Sequence, residues 1–229
     1  MTGNDETEAT IWRNLRSKAI RPVIQQFLFK TTHNTYMVGE YWRKIRGCED
    51  RGTCTTCDTT ESMNHILTEC NAPPTHLIWR HAQNLWPYSN IRWPEISIGT
   101  IIRCGSIHLQ MNNGPLNDNQ LNTERIKQGP TRLLQILISE AAHLIWAMRC
   151  ERVIQGKSHN ANEIKEQWLH TINERLTIDK IQVTTIKRNE GFTKLVVKTW
   201  EQALEKECEL LINWINNSEV LVGRTLQCA

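Results

Sequence analysis

Apolar residues recur at intervals of three and four along most of the chain, the spacing of amphipathic helices. Residues 9–17 carry Ile11, Trp12 and Leu15 at that spacing. Pro22 suits a first helical turn, and the helix it opens presents Val23, Ile24, Phe27 and Leu28, reaching towards Tyr36. Tyr41 and Trp42 mark a third, short helix, and residues 46–57 are turn-like, with Gly47, Asp50 and Gly52. Pro74 opens a helix bearing Leu77, Ile78, Ala82, Leu85 and Trp86, which Pro87 stops. Residues 103–130 are polar and rich in breakers (Gly105, Asn112-Asn113-Gly114-Pro115, Gly129-Pro130), as in a linker or long loop, and a domain boundary is expected there. Thr131 can cap a long helix to about Ile154, whose band Leu134, Leu137, Ile138, Ala141, Leu144, Ile145 and Met148 suits the centre of the second half. Asn160 or Asn162 starts another helix through Leu176. A further one spans 192–206 around Leu195, Val196, Trp200 and Leu204, and Leu210–Ile215 is the last candidate. Only 181–183 and 220–222 read as strands. The expected fold is mainly α and irregular: a disordered acidic N-terminus (1–8), a helical segment (9–102), a linker (103–130) and a C-terminal helical domain (131–229).

One segment breaks the helical pattern. Residues 54–70 read CTTCDTTESMNHILTEC, placing Cys54, Cys57, His65 and Cys70 as C-x2-C-x7-H-x4-C. Three thiolates and an imidazole suit a closed, tetrahedral, structural Zn2+ site. A C-x2-C pair aims two sulfurs from one tight turn at the same ion, and the other two ligands come from a second element. That element reads as a short helix, with Asp58 as N-cap and Glu61 completing a capping box. His65 then lies on its second turn. Cys70, five residues on, is roughly 140° further round an ideal helix, so it is expected beyond the helix end, where Asn71-Ala72-Pro73-Pro74 supplies the stop. The alternative is four reduced, buried residues without a metal, and Cys48 lies close enough to substitute as a ligand.

The same segment resembles the zinc-binding region that follows the polymerase or RNase H portion of non-LTR (LINE-type) retroelement proteins. That family carries a Cys/Cys/His/Cys signature at this spacing, a helix similar to ESMNHILTEC, and an Ile-Trp pair like Ile78-Trp79. IWRNLRSKAI, FLFKTTHNTYMVGEYW, LISEAAHLIWAMRCERVI and WLHTINERLTIDK also look like the C-terminal region of fungal retroelement-derived proteins. The resemblance implies zinc on the four residues named, a role in handling RNA or DNA, and polymerase or RNase H domains as partners.

Composition narrows the classes. With 229 residues the chain can bury a sizeable core. Its 39% hydrophobic share is modest, and nine tryptophans add large anchors. No uninterrupted run of about 18 apolar residues suggests a membrane span. The opening MTGNDETEAT is unlike a signal peptide, and the cysteines outside the cluster (Cys48, Cys104, Cys150, Cys208, Cys228) are expected to be reduced thiols of an intracellular protein. The formal charge of +3 is unevenly spread. Between Ile11 and Gly47 stand Arg13, Arg16, Lys18, Arg21, Lys30, Arg43, Lys44 and Arg46 against Glu40 alone. Localised positive charge beside a zinc module fits nucleic-acid contact, with Arg43, Lys44 and Arg46 the nearest candidates; solvated helix faces are the other reading.

Catalytic signals are weak. The five aspartates are dispersed, where a polymerase or RNase H needs clustered carboxylates for two metal ions. No Gly-rich phosphate loop occurs. Glu140 and His143 read as a structural polar pair, and His170 and Glu174 as a solvated i,i+4 pair. His76 and His81 lie near the knuckle. Cys150, beside Arg149 and Arg152, lacks a base. Trp42 and Trp86 are the tryptophans expected to be exposed. A non-catalytic nucleic-acid-binding module is therefore expected, with no membrane and no small-molecule substrate. A zinc-stapled scaffold or interaction domain, including a degenerate retroelement fragment, is the alternative. A zinc hydrolase is disfavoured, since four protein ligands leave no open position.

Overall fold

A 28-residue helix, α6 (Gln128–Gln155), runs through the middle of the molecule. The computed structural model describes residues 8–109, 128–185, 190–210 and 214–223. In chain order the other elements are α1 (Glu8–Leu15), α2 (Pro22–Thr32), α3 (Glu40–Arg43), the two-residue strands β1 (Thr53–Cys54) and β2 (Thr59–Thr60), α4 (Pro73–Leu85), α5 (Ile98–Ile102), α7 (Ala161–Thr185) and α8 (Glu190–Trp200). The fold is mainly helical, as the periodicity implies.

α6 is apolar nearly all round, so it must be covered on all sides. α2, α4, α5, α7, α8 and the turn at His65–Glu69 all pack against it. One core cluster results, drawing Ile24 and Leu28, Ile78, Ile136 and Leu137, Trp168 and Trp200 from both sides of the 103–130 segment. By length and composition α6 could also cross a membrane, but 72% of its apolar window is buried inside this fold. It starts ahead of the expected cap: Thr131 lies inside the helix, and its Oγ1 accepts the Leu109 N–H at 3.0 Å. Gly129 lets its first turn approach α8 closely, for a Cβ there would collide with the Lys198 carbonyl. Most of the expected linker, 110–127, lies outside the described residues.

Buried charge locks the helices together. Asp179 on α7 is fully buried and accepts both guanidinium nitrogens of Arg132 on α6, at 2.7 Å each. It also accepts Arg175 at 2.6 Å and the Trp200 indole N–H at 2.9 Å. Arg175 reaches on to the Ala19 carbonyl at 3.3 Å. This network explains why 181–183 is helical rather than strand-like: the i,i+4 Arg175–Asp179 pair carries the helix past Leu176. The next residue, Lys180, donates to the Asn217 and Val220 carbonyls at 2.8 and 2.9 Å and holds the tail against α7.

Other departures are local. α8 ends at Trp200 rather than near 206, because Gln202 takes a left-handed φ of 64°. Beyond it Leu204 forms one antiparallel bridge with Val222, the only trace among the described residues of the strand expected at 220–222. Of the expected last helix, Trp214–Asn216 forms a single 3-10 turn and 211–213 lie outside the described residues. Trp86 is buried, not exposed: the chain after Pro87 folds back so that the Ile91 carbonyl accepts its indole N–H at 2.8 Å, with Tyr88 and Trp93 edge-on. Cys208 is disulfide-bonded where a reduced thiol was expected.

Candidate metal centre

The knuckle is a tight hairpin followed by a widened helical turn. β1 and β2 pair antiparallel, Thr53 with Thr60 and Cys54 with Thr59. Inside the hairpin the Asp58 N–H returns to the Cys54 carbonyl at 2.8 Å, with Asp58 at a left-handed φ of 52°. This brings Cys54 and Cys57 to one side of the loop. The expected capping box does not form, because Asp58 is used by the turn and Glu61 is buried elsewhere. Ser62 takes the capping role: its Oγ accepts the His65 N–H at 3.0 Å. From His65 to Glu69 the backbone widens into a π-helical turn, closed by the Cys70 N–H on the His65 carbonyl at 2.8 Å. Such i→i+5 turns are rare and concentrate at functional sites. Cys70 itself is extended, beyond the helix as its spacing required.

Four ligand atoms converge there, one each from Cys54, Cys57, His65 and Cys70, all within 4.8 Å of one another. Cys70 Sγ lies 3.6 Å from Cys54 Sγ and 4.0 Å from Cys57 Sγ. A tetrahedral zinc with Zn–S bonds near 2.3 Å has S···S edges of about 3.8 Å. His65 is buried, and its Nε2 has no hydrogen-bond partner. A buried, orphaned ring nitrogen costs free energy unless something binds it, and a metal would. The sulfurs also receive amide donors, Asn71 N–H to Cys57 at 3.2 Å and Ala72 N–H to Cys70 at 3.4 Å. Cys48 is not part of the cluster.

Electrostatics favour a cation at this point. Burial acts to raise the Cys54 thiol, yet the His65 ring, the Thr56 and Cys57 amides and Cys70 outweigh it and bring Cys54 down to about 6. Cys70 goes the other way, to about 11: burial raises it, the Ala72 amide only partly compensates, and Cys54 and Cys57 repel a second negative charge. Crowded thiols cannot all ionise without a positive partner, and a divalent ion supplies one.

The knuckle is anchored to α6. Glu61 is buried and accepts two nitrogens of Arg149, with Arg152 at 3.6 Å. Ile66 and Leu67 enter the main core. α4 clamps the widened turn, where Trp79 Nε1 donates to the Leu67 carbonyl at 2.8 Å and Thr75 Oγ1 to the Ile66 carbonyl at 3.2 Å. Gly39, at φ 54°, lies so close to the Glu61 carbonyl that a Cβ could not fit. The Glu61–Arg149 pair escapes sequence reading because its partners are 88 residues apart.

The remaining candidates separate by environment. Arg43, Lys44 and Arg46 are all exposed beside the hairpin. Arg43 is tied to Glu40 at 2.9 Å and to Thr60 at 2.8 Å, and shares a surface hollow with Glu49, Asp50 and Asp58. Trp42 is half-buried, under Arg51 at 5.2 Å. Glu140 is buried and bound by Arg21, while His143 meets the edge of Phe27. His170 and Glu174 form the expected exposed pair, 3.4 Å apart. His76 is exposed; burial, with Arg80 and Lys165 nearby, lowers His81. Burial pushes the Cys150 thiol up despite Arg149, the wrong direction for a nucleophile. Comparison with models of known families, with curated proteins and with solved structures finds no match for this chain.

Proposed function

We propose that this chain is a non-catalytic zinc-binding module that contributes to RNA or DNA binding, of the kind its sequence resembles in retroelement proteins. The observation that carries zinc is the meeting of three sulfurs and one ring nitrogen of the buried His65 within 4.8 Å of one another. Four protein donors fill a tetrahedral shell, so the metal's role is to fold the segment rather than to activate water. Exposed Lys44 and Arg46, with Arg43 beside them, support contact with phosphates next to the knuckle. The test is a polarisation titration of zinc-loaded protein against single-stranded and duplex nucleic acids at two salt concentrations. Salt-sensitive affinity in the micromolar range or tighter supports binding; its absence for every nucleic acid refutes it.

A specific observation favours a second reading, that of a zinc-stapled scaffold. Arg43 is held by its neighbours and faced by three carboxylates, while Glu61 and Arg149 fasten the knuckle to α6. On that reading the metal only stiffens the fold, and no nucleic acid binds.

A further inference from the structure

We infer that α1 and α2 form a base-stacking platform for single-stranded nucleic acid, built from Trp12, Phe29 and His33. This rests on the nucleic-acid reading above, but uses a different surface from the knuckle. Phe29 lies in the last turn of α2, His33 caps that helix four residues on, and Trp12 of α1 lies against both. Trp12 and His33 stack with centroids 5.2 Å apart and planes 9° from parallel. Phe29 sits 4.4 Å from His33 and 5.7 Å from Trp12. Phe29 is nonetheless 50% exposed and His33 is exposed, so the ring cluster stands at the surface rather than closing a core. Leu15, Ile24, Phe27 and Leu28, buried beneath, already fasten these helices to the fold.

Charge identifies the occupant. From Ala9 to Gly39 the sequence contains no Asp or Glu, and exposed Arg13, Arg16 and Lys30 adjoin the ring-bearing positions. Lys30 extends towards Tyr36, 5.9 Å from its ring. Glu140 on α6, a buried acid, is paired with Arg21 just ahead of α2. A stretch so rich in cations, with Glu8 at the start of α1 its nearest acid in sequence before Glu40, and interleaved with aromatic rings, suits a strand whose phosphates meet the cations while its bases stack on the rings. A duplex keeps its bases stacked on one another and cannot use the rings. An apolar protein partner would gain nothing from the cations. The knuckle hollow instead sets Glu49, Asp50 and Asp58 beside Arg43.

The experiment compares three probes on zinc-loaded wild-type protein: a single strand of about 12 nucleotides, the corresponding duplex, and a strand of equal length and charge whose central bases are replaced by abasic sites. The normal strand should bind tightest, and abasic substitution should weaken binding by about five- to a hundredfold. Phe29→Ala, a change at an exposed position, should weaken binding to a similar extent while leaving the salt slope unchanged, since stacking releases no counterions. Equal affinity for normal and abasic strands overturns the platform while leaving phosphate binding in place. No binding to any probe overturns both readings. Self-association that Phe29→Ala abolishes would make the face a contact between copies of the chain, and would also overturn it.

Discussion

Replacing Asp179 by alanine should cost this protein more stability than any other single charge removal. Its carboxylate is fully buried and accepts four hydrogen bonds, from Arg132 twice, Arg175 and Trp200, at 2.6–2.9 Å. Removing it takes away the carboxylate that both guanidinium groups, with side chains only 7% and 3% exposed, are paired with. Breaking a buried ion pair from one side costs about 3–5 kcal/mol. Domains are stable by roughly 5–15 kcal/mol, so the variant should be near its folding threshold. The acid limb gives a second readout. Burial acts to raise Asp179, but the hydrogen bonds and charge of Arg132, with Arg175 and Trp200, outweigh it and hold the carboxyl below its usual value. A depressed carboxyl stabilises the fold above the unfolded pKa, about 3.9, and that contribution fades as pH falls through the folded value. Urea unfolding followed by circular dichroism should therefore show a large destabilisation for Asp179→Ala at pH 7 that shrinks towards pH 3. A difference under about 1 kcal/mol at pH 7 would show that the Arg132–Asp179–Arg175 network contributes little, as buried pairs sometimes do.

Metal analysis should find one zinc per chain in the wild type and a depleted site in Cys57→Ser, with 46–71 losing amide protection; full occupancy of the variant would remove the ligand assignment. Glu140→Gln should cost less than about 1 kcal/mol at pH 7 in the same urea assay. Burial raises the Glu140 carboxyl more than Arg21 lowers it, so its charged form is a net burden that begins to fade as pH falls below its folded pKa and is gone below the unfolded one. A cost of several kcal/mol would mean that the Arg21 pair outweighs desolvation. Replacing Arg43, Lys44 and Arg46 together by alanine should flatten the log–log salt dependence of nucleic-acid affinity by up to about 0.7–0.9 for each phosphate these side chains neutralise, without changing zinc content. An unchanged slope would move phosphate binding away from the knuckle.

The parts of this fold that sequence made legible are those with a short-range signature. Helix α2 opens at Pro22 and α4 at Pro73, one residue before the expected Pro74. The four cysteine and histidine positions converge because C-x2-C and H-x4-C each constrain a single turn. What stayed hidden depends on distance or on a break in periodicity. A 3.6-residue period cannot announce the π turn that lets His65 and Cys70 face one point. Ile181-Gln182-Val183 is β-branched enough to look like a strand, and only the tertiary pull on Asp179 and Lys180 keeps it helical. Glu61, three residues after Asp58, fits a capping box locally, yet Arg149 claims it from the far side of the molecule.

Those long-range partners also answer a question that apolar periodicity leaves open. A helix buried on nearly every face, like α6, gains about as much from one rotation or axial shift as from another, because apolar contacts are non-directional. Its buried charged residues remove that freedom. Arg132 in the first turns is bound to Asp179 on α7, Glu140 near the middle to Arg21 ahead of α2, and Arg149 towards the end to Glu61 of the knuckle. Each partner lies on a different element, so a rotation or slip that keeps the apolar contacts would strand three buried charges at several kcal/mol each. The ion pairs therefore select one arrangement from several that burial alone would permit. The metal site belongs to the same scheme, since an ion held by its four ligands would fix the hairpin that leads directly into Glu61. Emptying the site should loosen the alignment of the last turns of α6 while the Arg132–Asp179 end stays locked.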